Sequence, residues 1–167
     1  MECWTLILGI LVTIIGLSLA LIGQHAAALG GSKLTGTTAL VQQFPSTQAA
    51  ASAVPFTLMS PSSLPPGFAT SGVRISKGPK VIIATIGFQG PTGGLIELDE
   101  SNAPIEPPSG MATQESVSSV AAVAVSLHNT VGEPVDSVAW AVNGVHLLLT
   151  ENNTDVASLV ALADSIK

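Results

Sequence analysis

"VAWAVNGVHLLLT", Val138 to Thr150, carries the strongest local signal in the chain. Asn143-Gly144 is the preferred pair for a two-residue type I′ turn, because both positions must take a positive φ. Setting Val142 opposite Val145 places Trp140 opposite Leu147 and Val138 opposite Leu149. These six side chains then share one face, which their apolar character marks as the core face. Ala139, Ala141, His146, Leu148 and Thr150 take the other face, which is less apolar. Burial of Trp140, Leu147 and Leu149 contributes about 1.5–3 kcal/mol each. The stretch specifies an antiparallel hairpin with one buried side.

Downstream, "NNTDVASLVALADSIK" reads as a helix. Asn153 or Thr154 is expected to cap it, with Asp155 in the first turn at the positive end of the dipole. Val156, Leu159, Val160, Ala163 and Ile166 recur at helical spacing and form one stripe, so the helix should pack on the sheet. Upstream, "VAAVAVSL" (Val120 to Leu127) reads as a strand and "SNAPIEPPSG" as a proline-rich surface loop. "LIELDE" sets Leu95, Glu97 and Asp99 on one face and Ile96, Leu98 and Glu100 on the other. "QGPTGG" is a hairpin loop, "VIIATIGF" (Val81 to Phe88) a central strand rich in β-branched residues, "KGPK" a turn and "VRIS" a short strand.

Ahead of these strands lies "FTLMSPSSLPPGF", Phe56 to Phe68. Pro61, Pro65 and Pro66 stiffen it, and Gly67 is free for a positive φ, so a turn is expected at Pro66-Gly67. Phe56, Leu58 and Ser60 alternate as in a short strand, and Leu64 and Phe68 are placed to plug the edge of a core. The preceding stretch, Gly30 to Ala53, is rich in Gly, Ser, Thr, Ala and Gln and reads as a linker with little persistent structure. A short helix near Ala39 to Phe44 is the one element expected in it.

The N-terminal "WTLILGILVTIIGLSLALI", Trp4 to Ile22, contains no charged residue. As a helix it would span roughly 28 Å, close to the hydrocarbon core of a bilayer. Trp4 suits one interface, and Gln24 and His25 the other. The run reads as a membrane anchor that stays attached, with signal-peptide cleavage near Ala26-Ala27-Ala28 as the alternative. The division expected is residues 1–29 anchor, 30–53 linker and 54–167 an α+β domain, a small antiparallel β-sheet with a C-terminal helix packed on it. Lys33 alone bears on orientation, and taken literally it points inward.

Composition narrows the function. Charged residues make up 10% of the 167-residue chain, against roughly 25% in an ordinary soluble domain. Net charge is −6, and Lys33, Arg74, Lys77, Lys80 and Lys167 form no stripe able to meet nucleic-acid phosphates. Cys3 is the only cysteine, so neither an intrachain disulfide nor a Cys-based metal site can form. No two of His25, His128 and His146 stand at i, i+3 or i, i+4. His128 and His146 would have to approach across a sheet to share a metal, and a half-exposed neutral His146 is the simpler reading. "ELDESN", Glu97 to Asn102, lacks calcium-loop spacing and reads as a solvated strand end. Glu97 and Asp99 could be paired acid–base carboxylates, but they sit in an ordinary hairpin. No catalytic, cofactor or metal residue is assigned. The low charge density fits an acidic or otherwise harsh exterior.

Pro61, Leu64, Pro65, Gly67 and Phe68, then Trp140, Asn143 and Gly144, then "LVALADSIK" follow one another in an order that resembles domain-of-unknown-function family 4367 over residues 54–167. That resemblance implies an extracytoplasmic domain behind a single membrane helix and supplies no catalytic residues. The expected function is a non-enzymatic, membrane-tethered binding domain for an envelope protein, peptide or component. A carrier or sensor for an apolar ligand, held between sheet and helix, is the alternative.

Overall fold

Among the described residues, β-branched and alternating runs separated by Gly, Pro and Asn produce eight strands. The computed structural model describes residues 40–152 and 154–167. The strands are β1 (Leu40–Phe44), β2 (Ala69–Lys77), β3 (Ile82–Gln89), β4 (Leu95–Ser101), β5 (Met111–Val117), β6 (Val120–His128), β7 (Pro134–Val142) and β8 (Val145–Asn152). Among the described residues two helices accompany them, α1 (Thr47–Ala50) between β1 and β2, extended by a 3-10 turn at Ala51–Ala53, and α2 (Val156–Asp164) after β8. All pairings are antiparallel, in the order β1-β2-β3-β4-β8-β7-β6-β5. Two four-stranded meanders thus meet at a β4·β8 seam.

The α+β expectation of an antiparallel sheet with a C-terminal helix is what the structure shows. Asn143 and Gly144 take φ of 52° and 77°, and β7 and β8 pair with Val142 opposite Val145, Trp140 opposite Leu147 and Val138 opposite Leu149. At φ 77° a Cβ is strained whatever the surrounding space. Gly144→Ala is expected to lower stability by about 1–2 kcal/mol, read as an earlier midpoint in denaturant unfolding.

The registers define the two faces. Phe44, Val73, Ile86, Leu98, Leu149, Val138 and Ala124 form one row across seven strands. From Val73 to Ala124 its members are at most 3% exposed. α2 packs on this face against β5 to β8, and α1 packs on β1 and β2. Leu159, Leu162 and Ala163 are the buried residues of α2. Leu162 is absent from the stripe read in the sequence, and Val156, Val160 and Ile166 lie at the margin of the core.

Several expectations are corrected. Residues 40–53 are not unstructured linker: Leu40–Phe44 is a strand rather than a helix, pairing with β2, and Ala50 is fully buried. β5 was unforeseen, and β2 extends well beyond "VRIS". Asp155 is itself the cap of α2, its Oδ1 accepting the Ser158 N–H at 3.0 Å. Phe56 to Ser60 belong to no strand; Pro61 makes only an isolated bridge to Ile166. Trp4 to Ile22, the expected anchor, lies outside the described residues, as does the linker before Leu40. Among the described residues no helix is long and apolar enough to cross a membrane.

Candidate functional site

The strap formed by residues 54–68 lies against the helix-bearing face. Its Ser60 N–H donates to Lys167 O at 3.3 Å, Lys167 N–H donates to Ser60 O at 3.2 Å, and Ser62 N–H donates to Ser165 O at 2.9 Å. Phe68 N–H closes the Pro65-Pro66-Gly67 turn onto Pro65 O at 3.1 Å, with Gly67 at φ 84°. The Phe68 ring lies so close to the β3–β4 loop that a Cβ on Gly90 would meet it at 2.8 Å. Leu64 and Phe68 are half-buried against the core. Pro61, Leu64, Pro65, Gly67 and Phe68 therefore lock the strap, while Trp140, Asn143 and Gly144 build the hairpin.

Beneath the strap lies a residue that sequence reasoning placed in solvent. Glu100 is fully buried, as is its neighbour Ser101. It occupies a core row between Ala84 on β3 and Leu147 on β8. Both carboxyl oxygens accept the Met59 N–H, at 2.9 and 3.1 Å. Burial pushes the Glu100 carboxyl up to about 8, with the Met59 bond pulling the other way. The available signal was strict alternation, which puts residue 100 on the side of Ile96 and Leu98.

The opposite face carries the candidate site. Arg74, Thr85 and Asp99 stand in one cross-strand row on β2, β3 and β4. Thr85 Oγ1 donates to Asp99 Oδ1 at 2.5 Å. Glu97 is two residues along on the same face, opposite Thr150, whose hydroxyl lies 3.1 Å from that of buried Ser137. Burial raises the Asp99 carboxyl above its ordinary range, opposed by the Thr85 bond and by Arg74. Glu97 is raised by burial and then by the Asp99 charge, with Arg74 opposing. Two reluctant carboxyls, a guanidinium and the Thr85 and Thr150 hydroxyls thus share a half-buried surface.

Beside this cluster the β4–β5 crossover spans the far half of the same face. Asn102 Oδ1 accepts the Ile82 N–H at 2.8 Å and anchors its start. Ile105 and Pro107 then overhang Val123, Ala139 and His146, leaving a shallow groove of about 230 Å³. His146 faces this groove, whereas the register puts His128 on the other side of the sheet, so the two do not converge. Among the described residues no three His, Cys, Asp or Glu side chains gather into a cation site. Chemically, the face can exchange hydrogen bonds and one positive charge with a polar partner while the groove accepts a small apolar group.

No curated protein and no solved structure matches the chain. A family model does, over residues 4–165, described as protein of unknown function (DUF4245). This overturns the resemblance to family 4367. The motifs behind that resemblance are a Pro-Gly turn, an Asn-Gly hairpin and a terminal amphipathic helix, devices that any small antiparallel sheet can use. The matched stretch includes the apolar run from Trp4 as well as all eight strands, and the chain belongs to the DUF4245 family.

Proposed function

We propose that the protein is a non-enzymatic binding domain, tethered to a membrane through residues 4–22 and recognising an envelope protein or peptide outside the cytoplasm. The single observation that carries this reading is the asymmetry of the sheet. One face is sealed by α2, the strap and α1, whereas the other keeps Arg74, Thr85, Glu97 and Asp99 half-buried beside a groove. Such a mixture of apolar depression and convergent polar groups is the anatomy of a recognition surface.

The space between sheet and α2, where an apolar cargo would lie, is occupied by Leu159, Leu162 and Ala163 packed with Val138 and Trp140. That packing favours recognition over the carrier reading. The tether is supported by the apolar run, which falls within the stretch matched by the family. The extracytoplasmic placement is supported by the low charge density, 10% of the chain, which suits an exterior where few carboxylates need stay ionised.

The test is affinity capture with the full-length chain in mild detergent. Arg74→Glu should reduce recovery of the bound partner at least about tenfold, the equivalent of 1.4 kcal/mol. Ala157→Glu, on the exposed side of α2, should leave recovery unchanged. Equal recovery with both variants would remove the opposite face from recognition.

A further inference from the structure

β5 closes one edge of the sheet, and among the described residues no strand pairs with its outer side. Met111–Val117 reads MATQESV, seven residues with one charge, Glu115, and no proline or lysine. Natural edges usually carry such blocking residues, a bulge or a covering segment. Met111 is 76% exposed, and Ala112, Thr113, Gln114 and Ser116 are exposed beside it.

The β5–β6 turn decides which backbone groups are free. Ser118 and Ser119 take φ of 48° and 68°, the two-residue I′ geometry, and Val117 pairs with Val120. In such a hairpin the closing pair is hydrogen-bonded and bonding alternates from there. Val117, Glu115, Thr113 and Met111 therefore bond inward to β6, and Ser116, Gln114 and Ala112 present their N–H and C=O groups outward.

We propose that this edge pairs with the same edge of a second copy, antiparallel, on a two-fold axis at Gln114. That register overlaps the full strand and sets Gln114 opposite Gln114, Ala112 opposite Ser116 and Thr113 opposite Glu115. All three outward-facing residues then meet outward-facing residues, giving about six backbone hydrogen bonds. Glu115 faces a threonine hydroxyl instead of its own copy, and Thr113 Oγ1 already donates to Glu115 within one strand. Met111 gains Val117 as its apolar neighbour. Shifting the axis to Glu115 would put two carboxylates face to face, which is destabilising. The surface is self-complementary, as a two-fold interface requires. The product is one continuous sheet across two chains, with both recognition faces on the same side.

The register makes the test specific. The full-length chain carrying Cys3→Ser and Gln114→Cys is oxidised with copper phenanthroline in extracts of expressing cells and run on a non-reducing gel. Residues on the axis lie within disulfide reach, so most of the chain should shift to twice its mass. With Ala112→Cys the two thiols lie about 13 Å apart along the strands, and the chain should stay at its single mass. Gln114→Lys, exposed and with its N–H turned away from β6, should leave the fold intact and halve the mass found by sedimentation. The proposal is overturned if Gln114→Cys yields no dimer, if Ala112→Cys dimerises equally, if Gln114→Lys leaves the mass unchanged, or if Gln114→Cys captures a different protein instead of a second copy.

Discussion

The domain should melt at a higher temperature at pH 5 than at pH 8.5, by on the order of 10 °C, and Glu100→Gln should remove most of that difference. The sign follows from where the proton is held. Folded, Glu100 keeps its proton up to about 8 instead of the ordinary 4.5. Between those values the folded state binds a proton that the unfolded chain has released, so stability falls as pH rises. The stabilisation is complete below about 4.5 and lost as pH passes 8. Over pH 5 to 8.5 it amounts to on the order of 3–4 kcal/mol.

Glu97, Asp99 and Glu151 are also raised by burial and act in the same direction. Asp155 is lowered by the Ser158 hydrogen bonds, and its contribution fades only as pH falls through a value below its ordinary 3.8, outside this window. Glutamine at position 100 keeps an acceptor for the Met59 N–H without a charge to desolvate. Glu100→Gln should therefore be more stable than the parent at pH 8.5 and similar to it at pH 5. A parent whose melting temperature fell between pH 8.5 and 5 would contradict the buried carboxyl.

Leu149→Ala should cost about 2–5 kcal/mol, a large share of the 5–15 kcal/mol typical of a domain. Leu149 is 0% exposed and stands on β8 with Leu98 of β4 on one side and Val138 of β7 on the other. Because β4·β8 is where the two meanders join, the cavity would open at the seam itself. Leu149→Met, which conserves volume, should cost less than about 1.5 kcal/mol. Urea unfolding followed by tryptophan fluorescence reads both, through buried Trp140. A loss below about 1 kcal/mol for the alanine variant would mean the seam is not close-packed.

Legibility of this fold tracked the strength of local chemistry. Asn143-Gly144 and the alternation around it contain the hairpin register outright, because turn type and side-chain period both act locally. β1 and β5 were missed because LVQQF is short and MATQESV largely polar, and only pairing with β2 and β6 makes them strands. The strap was legible as a stiff, turned segment, but not its clamp onto Ser165 and Lys167, which joins residues far apart in the chain. Glu100 was misread because carboxylates are rarely fully buried, although alternation sets it on the same face as Ile96 and Leu98. Arg74, Thr85 and Asp99 come from three strands and meet only through the β2–β3 and β3–β4 registers. Glu97 and Asp99, in contrast, were legible as a pair on one face.

Recognition through the face opposite α2 is most directly tested by photo-cross-linking the full-length chain in cells. Benzoylphenylalanine at Ser76, half-buried on that face beside Arg74, is expected to trap a discrete partner of different mass. The same group at Ala157, exposed on α2, is expected to trap none. Adducts from Ala157 with none from Ser76 would place the contact on the helix side and contradict the account.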